Sequence, residues 1–191
     1  AGLEYNRDRL KDNMWGYNRH TDQTVNIYSA FLQNEWKNDR WGILIGGRLD
    51  KHNMVDNVIF SPRANLRFNP TQNINLRLSY SSGFRAPQAF DEDMHIENVG
   101  GTVAMIERAK NLKEEKSQSF SASADMYHRF GVFQTNFLIE GFYTRLTDVF
   151  VLGEPYDRGD GILVKTRSNG PGAKVMGLTL EGKVAYLSIL Q

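Results

Sequence analysis

Two groups of side chains in this sequence have types and spacing suited to chemistry. Asp91, Glu92, Asp93 and His95 fall within five residues. Oxygen ligands at that spacing are of the kind that hold Ca²⁺ and order a loop, so Asp91, Asp93 and His95 are the candidate metal set. Asp-Glu-Asp does not complete an EF-hand loop, and His95 has no second His or Cys nearby. A solvated acidic loop is therefore the reading we favour. The second group is Trp15, Tyr17, Arg19 and His20, joined by Arg85 and Gln88 from a later segment. Rings beside arginines can stack on a large anion and neutralise it. The plainer role of Trp15 and Tyr17, which we favour, is that of ring residues at a membrane interface. Catalytic sets are missing. There is no Gly-x-Ser-x-Gly, the four histidines (His20, His52, His95 and His128) are scattered, and there is no cysteine. The sequence reads as a non-enzyme without a cofactor.

These residues sit in connectors, and the segments between them set the architecture. Residues 74–81 place Ile74, Leu76, Leu78 and Tyr80 on one face and Asn75, Arg77, Ser79 and Ser81 on the other. Residues 40–50 put Trp41, Ile43, Ile45 and Leu49 together. Residues 116–126 set Ser117, Ser119, Ser121, Ser123 and Asp125 against Phe120, Ala122, Ala124 and Met126. This period of two is that of strands with one wet face and one apolar face. Residues 58–69, 24–36 and 132–152 continue the series, the last as one strand of about twenty residues. The stretch 162–190 breaks at Asn169-Gly170-Pro171-Gly172 and resumes at Lys174. Pro62 cannot donate to a ladder and belongs near a strand start or a bulge. Only Val103 to Leu112 carries a weak helical period.

The connectors alternate in length. Lys37-Asn38-Asp39, Asn69 to Asn73 and Arg129-Phe130-Gly131 are short. Lys11 to Gln23, Lys51 to Asn57, Arg85 to Lys113 and Gly153 to Gly161 are long. Tight turns at one end and elaborate loops at the other are how an outer-membrane β-barrel is built. Composition agrees. A charged fraction of 24% and a mean hydropathy of -0.49 exclude a helical membrane protein, which a barrel need not resemble because only alternate residues face lipid. A net charge of +1 gives no field that would draw nucleic acid.

Ser82-Gly83-Phe84-Arg85-Ala86-Pro87-Gln88 closes a strand and opens the longest connector, and Asn111-Leu112-Lys113-Glu114-Glu115-Lys116-Ser117 re-enters the next. They resemble the "GFRAP" and "NLKPE-S" elements of TonB-dependent outer-membrane receptors, with Glu114 in place of the usual Pro. Ala30 to Trp36 resembles "FxQDEW", Gly47 to Asp50 "GxRxD", Ser61-Pro62-Arg63 "SPR" and Gly177 to Gly182 "GxELE". The resemblance makes Gly83, Phe84, Arg85, Pro87, Asn111, Leu112 and Glu115 structural barrel residues. It implies an all-β antiparallel meander of seven or eight long strands, a segment of a transmembrane barrel of about 22 strands.

The same resemblance implies an importer of a scarce metal complex (siderophore, haem or cobalamin), energised by the TonB complex through a plug that residues 1–191 do not include. Phe90 to Ile96 resembles receptors of Bacteroides-type bacteria for cobalamin or iron complexes. Arg48, Arg63, Arg67 and Arg77 are expected on the polar face, pairing with Asp50 and plug carboxylates. Ala1 to Tyr5 and Leu187 to Gln191 both read as strand, which gives a piece of a longer barrel in contact with outer-membrane lipid. Isolated, such a piece is expected to self-associate through its open edges or through Ile43, Ile45, Leu76, Leu78 and Tyr80. The other readings are a complete eight-stranded barrel with a structural or adhesion role, and a soluble β-sandwich binding module.

Overall fold

The computed structural model describes residues 1–89, 93–94, 97–99 and 102–186. Asp91, Glu92 and His95, and the end strand read at Leu187 to Gln191, lie outside these residues. In chain order the strands are β1 (Gly2–Met14), β2 (Arg19–Lys37), β3 (Trp41–His52), β4 (Ile59–Thr71), β5 (Ile74–Arg85), β6 (Glu97–Val99), β7 (Thr102–Arg108), β8 (Glu115–Phe130), β9 (Phe133–Thr147), β10 (Phe150–Leu152), β11 (Tyr156–Asp157), β12 (Leu163–Asn169) and β13 (Ala173–Tyr186). Eight of them form one antiparallel sheet in the order β1-β2-β3-β4-β5-β8-β9-β13. We call it the wall. The order follows the chain except where the two longest connectors leave it.

Register carries the alternation of each strand across the whole wall. Trp36, Ile43, Leu66, Leu78, Ala122, Gly141 and Leu178 are successive cross-strand partners. So are Trp41, Phe68, Leu76, Ala124, Ile139 and Leu180. On the opposite face run Gly42, Arg67, Arg77, Ser123, Glu140 and Thr179. A slip of one residue between any two strands would mix these rows, so the pattern fixes the pairing. The apolar face is left uncovered: Leu3, Leu32, Leu78, Leu178 and Leu180 are each more than half exposed.

Rings mark the two ends of the apolar band. Trp41 stacks on Phe68 with centroids 4.1 Å apart, and Phe133 meets Tyr186 at 5.5 Å, near the tight turns. Toward the loops, Tyr5 stacks on Tyr28 at 4.8 Å and Tyr80 tilts over Phe120 at 4.7 Å. Tyr28 and Trp36 share β2, eight residues apart, about 26 Å along the strand.

The tight turns have local causes. The Asn38 side chain accepts from Arg40 N and Trp41 N at 2.9 and 2.7 Å, closing the β2–β3 turn. Gly131 takes φ +57 between β8 and β9, where a side chain would be strained. Pro62 lies near the start of β4, and the β4–β5 ladder ends beside it at Arg63 and Ser81. A register shift between Phe68 and Thr71 absorbs Pro70.

Four segments differ from the sequence reading. Lys11 to Gln23, expected as a loop, continues β1 and β2 in an unbroken ladder to Met14 and Arg19, closed by a 3₁₀ turn at Trp15–Tyr17. Val103 to Leu112, expected to lean helical, holds β7. Residues 132–152 are two strands, because Asp148 takes φ +54 and turns the chain between β9 and β10. The final strand resumes at Ala173, one residue before the expected Lys174.

A second sheet joins the loops. β10, β12, β7 and β6 lie side by side, with β11 also on β12. β7 and β12 pair in parallel, Leu163 opposite Ala104 through Arg167 opposite Arg108. Met105, Val164 and Ala104 are almost fully buried there. The two longest connectors thus fold onto one another as a cap.

Candidate functional site

The site is where the cap meets the β1–β2 hairpin. Above Asn26 the hairpin rises past the end of β3, leaving one edge of β2 without a strand partner. Side chains and loop backbone occupy that edge. Asn53 accepts from Asn26 N at 2.9 Å and donates to Thr24 O at 2.8 Å, extending the ladder beyond His52. Higher up, the buried Gln23 Oε1 accepts from Ala89 N at 2.7 Å and from Arg108 Nη1 at 3.0 Å. Arg108 also donates to Pro87 O at 3.1 Å, and burial holds its pKa below the usual arginine value. Neither Gln23 nor Arg108 was picked out from the sequence. Gln23 sits in a polar stretch, and the weak helical period over Val103 to Leu112 did not mark Arg108 as buried.

Arg19 clasps the loop. It donates to Met94 O at 2.8 Å and Asp93 O at 3.3 Å, and pairs with Asp12 at 2.9 Å. Arg158 reaches the hairpin tip at Tyr17 O, 3.3 Å, with Asp160 and Glu107 beside it. The Asp160 hydrogen bond raises the Arg158 pKa and lowers that of Asp160. Between these elements lies a cleft of about 350 Å³ lined by Arg19, His20, Asp93, Glu107, Arg108 and Arg158. It is polar, open and carries three guanidinium groups.

The residues expected to bind are divided. Arg19 and His20 line the cleft. Trp15 is largely exposed at the hairpin tip, its ring edge-on to His20 with centroids 4.6 Å apart, and Tyr17 contributes its carbonyl. Arg85 lies elsewhere, its guanidinium 5.5 Å from the centre of the Phe150 ring. Gln88 pairs with His52 at 3.4 Å. Of the metal set, only Asp93 is described: its carboxylate lies 2.6 Å from Arg167, both side chains buried. Among the described residues no three His, Asp or Glu side chains come together to hold a metal.

The motif residues build the floor beneath the cap. Ala86 is buried with Val55 and Ile59, and Phe84 packs on them. Gly83 faces Ser117 across the β5–β8 pair, where a Cβ would come to 3.3 Å of its Oγ. Pro87 is buried and offers its carbonyl to Arg108. Leu112 N donates to Ala109 O at 3.2 Å and Asn111 is exposed. Glu115 opens β8 and accepts from Phe150 N at 2.9 Å. Asn169, read from the sequence only as part of a break, pairs with both backbone groups of Lys113 at 2.8 and 3.0 Å and donates to Asp148 O at 2.8 Å.

Below the floor, the wall's polar face continues the wet surface. Arg48 donates to Asp50 at 2.7 Å, to Ser29 at 2.7 Å and to Glu4 at 2.9 Å. Ser79 meets Ser121 at 2.6 Å and Ser119 meets Thr144 at 2.9 Å. A hollow of about 400 Å³ lies there among Glu35, Arg67, Arg77, Ser123 and Glu140.

An ordered antiparallel wall, polar on one face, ringed and apolar on the other, with loops gathered at one end, is a section of a membrane-type β-barrel. The family model described as TonB dependent receptor-like, beta-barrel matches residues 1–190, and the chain belongs to that family. No curated protein matches the sequence. Among solved structures, the chain is similar to the siderophore receptor PirA of Pseudomonas aeruginosa (TM-score 0.76, 18% identity, 94% of this chain and 34% of that one). It is similar also to a variant of the Pseudomonas aeruginosa ferric enterobactin receptor PfeA in complex with enterobactin (0.70, 18%, 93% and 29%). A third is the FrpB iron transporter of Neisseria meningitidis (0.60, 19%, 88% and 25%). The chain spans about a third or less of the length of these structures.

Proposed function

We propose that this chain forms part of the wall and loop cap of an outer-membrane receptor that imports a scarce metal complex, with a ferric siderophore as the ligand class. Transport would be energised by the TonB complex acting through a plug. The observation that carries the ligand class is the cleft at Arg19, Arg108 and Arg158, set above a polar wall. An anionic iron complex offers oxygen acceptors that guanidinium forks match in geometry and charge. Arg158 is the most available of the three, since its partners Asp160 and Glu107 are about half exposed and exchange readily with a ligand. The named functions of PirA, PfeA and FrpB support the same class. Cobalamin, suggested by the resemblance at Phe90 to Ile96, is the other ligand to test.

The test uses the whole receptor in an outer-membrane host that lacks its own siderophore receptors. Uptake of radio-iron on catecholate and hydroxamate siderophores, and of labelled cobalamin, is measured with TonB intact and deleted. The expected result is TonB-dependent uptake of an iron siderophore, with Arg158→Ala raising the half-saturating concentration. Uptake of cobalamin alone would keep the importer and replace the ligand. No uptake, or uptake indifferent to TonB, would overturn the proposal.

A further inference from the structure

Asn169-Gly170-Pro171-Gly172, which separates β12 from β13, is packed more tightly than a turn requires. A Cβ on Gly170 would come to 2.7 Å of the Val151 side chain, and one on Gly172 to 2.6 Å of Leu146 O. Glycine is what so close an approach requires. Asn169 ends β12 opposite Phe150 of β10. Its side chain ties this corner together: Oδ1 accepts from Lys113 N at 2.8 Å, and Nδ2 donates to Lys113 O at 3.0 Å and to Asp148 O at 2.8 Å. Lys113 precedes β8, Asp148 follows β9 and Asn169 precedes β13. One amide thus joins three of the four points where the two long connectors meet the wall.

Asn169-Gly170 is also the single Asn-Gly pair in the chain. Packing therefore keeps the least hindered successor beside a labile amide. The reaction open to this pair is intramolecular. Hydroxide takes the Gly170 amide proton, and the nitrogen forms a bond to Asn169 Cγ. The Cγ–Nδ2 bond breaks, and Nδ2 leaves as ammonia with a proton from water, which restores the hydroxide. The cyclic imide then takes up one water at either carbonyl and opens to aspartate or isoaspartate. In the closed fold the pair is held out of reaction. The Gly170 N–H donates to Val149 O at 2.7 Å, and the Asn169 amide is fixed on three backbone groups. Attack on Cγ needs both to let go, so the rate follows the opened fraction of this corner.

We propose that Asn169 is a site of spontaneous modification, and that its deamidation unties the cap from the wall. The product carries a carboxylate, which only accepts hydrogen bonds. It can keep Lys113 N, but it meets Lys113 O and Asp148 O with no proton to offer. Isoaspartate goes further, because it lengthens the main chain by one methylene. That displaces Gly170 from its seat on Val151 and breaks the register with Phe150. The change runs one way, since the ammonia is lost. The cap brings Arg108 and Arg158 to the cleft, so an aged molecule loses the ordering of its own site.

The experiment is peptide mapping of the whole receptor in detergent, aged at mildly alkaline pH beside the same protein unfolded in urea. Aspartate and isoaspartate at position 169 are read by mass and by enzymatic methylation of isoaspartate. Conversion is expected in both, about tenfold or more slower in the folded protein. Glu115→Ala removes the acceptor of Phe150 N, 2.9 Å away and opposite Asn169. It should speed conversion in the folded protein about tenfold and leave the unfolded rate unchanged. Aged wild type should be nicked by protease within residues 148–172 roughly tenfold faster than fresh protein, as Asn169→Asp should be from the start. Asn169→Gln, whose longer side chain closes the ring slowly, should age with no further rise in nicking. Equal rates folded and unfolded, no conversion in the folded protein, or converted protein nicked no faster than fresh would each overturn the proposal. The wild-type arms decide the matter even where a variant fails to fold.

Discussion

Gln23→Leu should release the cap from the hairpin. The Gln23 carbonyl oxygen is the acceptor of both the Ala89 amide and the Arg108 guanidinium, at 2.7 and 3.0 Å. Leucine keeps the volume and removes the acceptor. A bond to a charged donor contributes about 1.5–3 kcal/mol, and a buried amide left without an acceptor costs about 1–3 kcal/mol. Arg108 retains Pro87 O, so the first figure is taken at its low end. The sum is about 3 kcal/mol, roughly a 150-fold rise in the population of the opened cap. Hydrogen exchange of the folded protein in detergent reads this directly, because the Ala89 amide is itself one of the donors. Exchange in the peptide covering residues 86–89 should accelerate by about that factor, while the wall segment 119–123 stays protected. Gln23→Glu keeps an acceptor facing Arg108 and should leave exchange slow. Unchanged exchange at Ala89 in the leucine variant would refute the argument that this side chain ties the two elements together.

Three further outcomes are expected. His52 is neutral in the fold: burial holds its pKa below the ordinary 6.5, its Nδ1 accepts from Met54 N at 3.0 Å, and its Nε2 lies toward Gln88. Stability at this loop is therefore full above about pH 6.5 and declines as pH falls below that value toward the lower folded pKa. Met54 exchange, corrected for its intrinsic pH dependence, should rise over that window, and a flat profile would count against it. Asn169→Ala removes three half-exposed hydrogen bonds to backbone. It should loosen the cap by about 2 kcal/mol, seen as roughly 30-fold faster protease nicking in residues 148–172. Leu78→Arg places a charge in the middle of the apolar rows and should cost about 2–4 kcal/mol in reversible unfolding from lipid bilayers. Ser121→Arg on the opposite face should cost far less, and equal costs would contradict the assignment of faces.

The wall was legible because each strand carries its two faces in its own residues. Ile74 to Ser81 needs no partner to show which side is wet. The hairpin above Asn26 was not legible for the complementary reason. Water reaches both of its faces, so Asn6 to Met14 has no apolar alternation, yet the backbone ladder continues. β7 and β12 were hidden more deeply. Their pairing is parallel and joins Ala104 to Leu163, and what each segment buries is decided by the other. The arginines of the cleft were half visible. Arg19 drew notice through its aromatic neighbours, while Arg108 and Arg158 needed the cap to bring them in.

That parallel pairing sets an order of events. β7 leaves the chain before β8 and β9, and β12 follows them, so the two are 59 residues apart along the sequence at Ala104 and Leu163. Closing so long a loop in an unfolded chain costs entropy before any contact repays it. Once β8 and β9 have zipped into the wall, the ends of both connectors are held near one another and the cost falls. The cap thus assembles after β8 and β9 have joined the wall. In a strand-by-strand insertion β7 waits on the far side of the bilayer until β12 has been delivered there, and a chain arrested after β9 would carry seven of its eight wall strands but no lid.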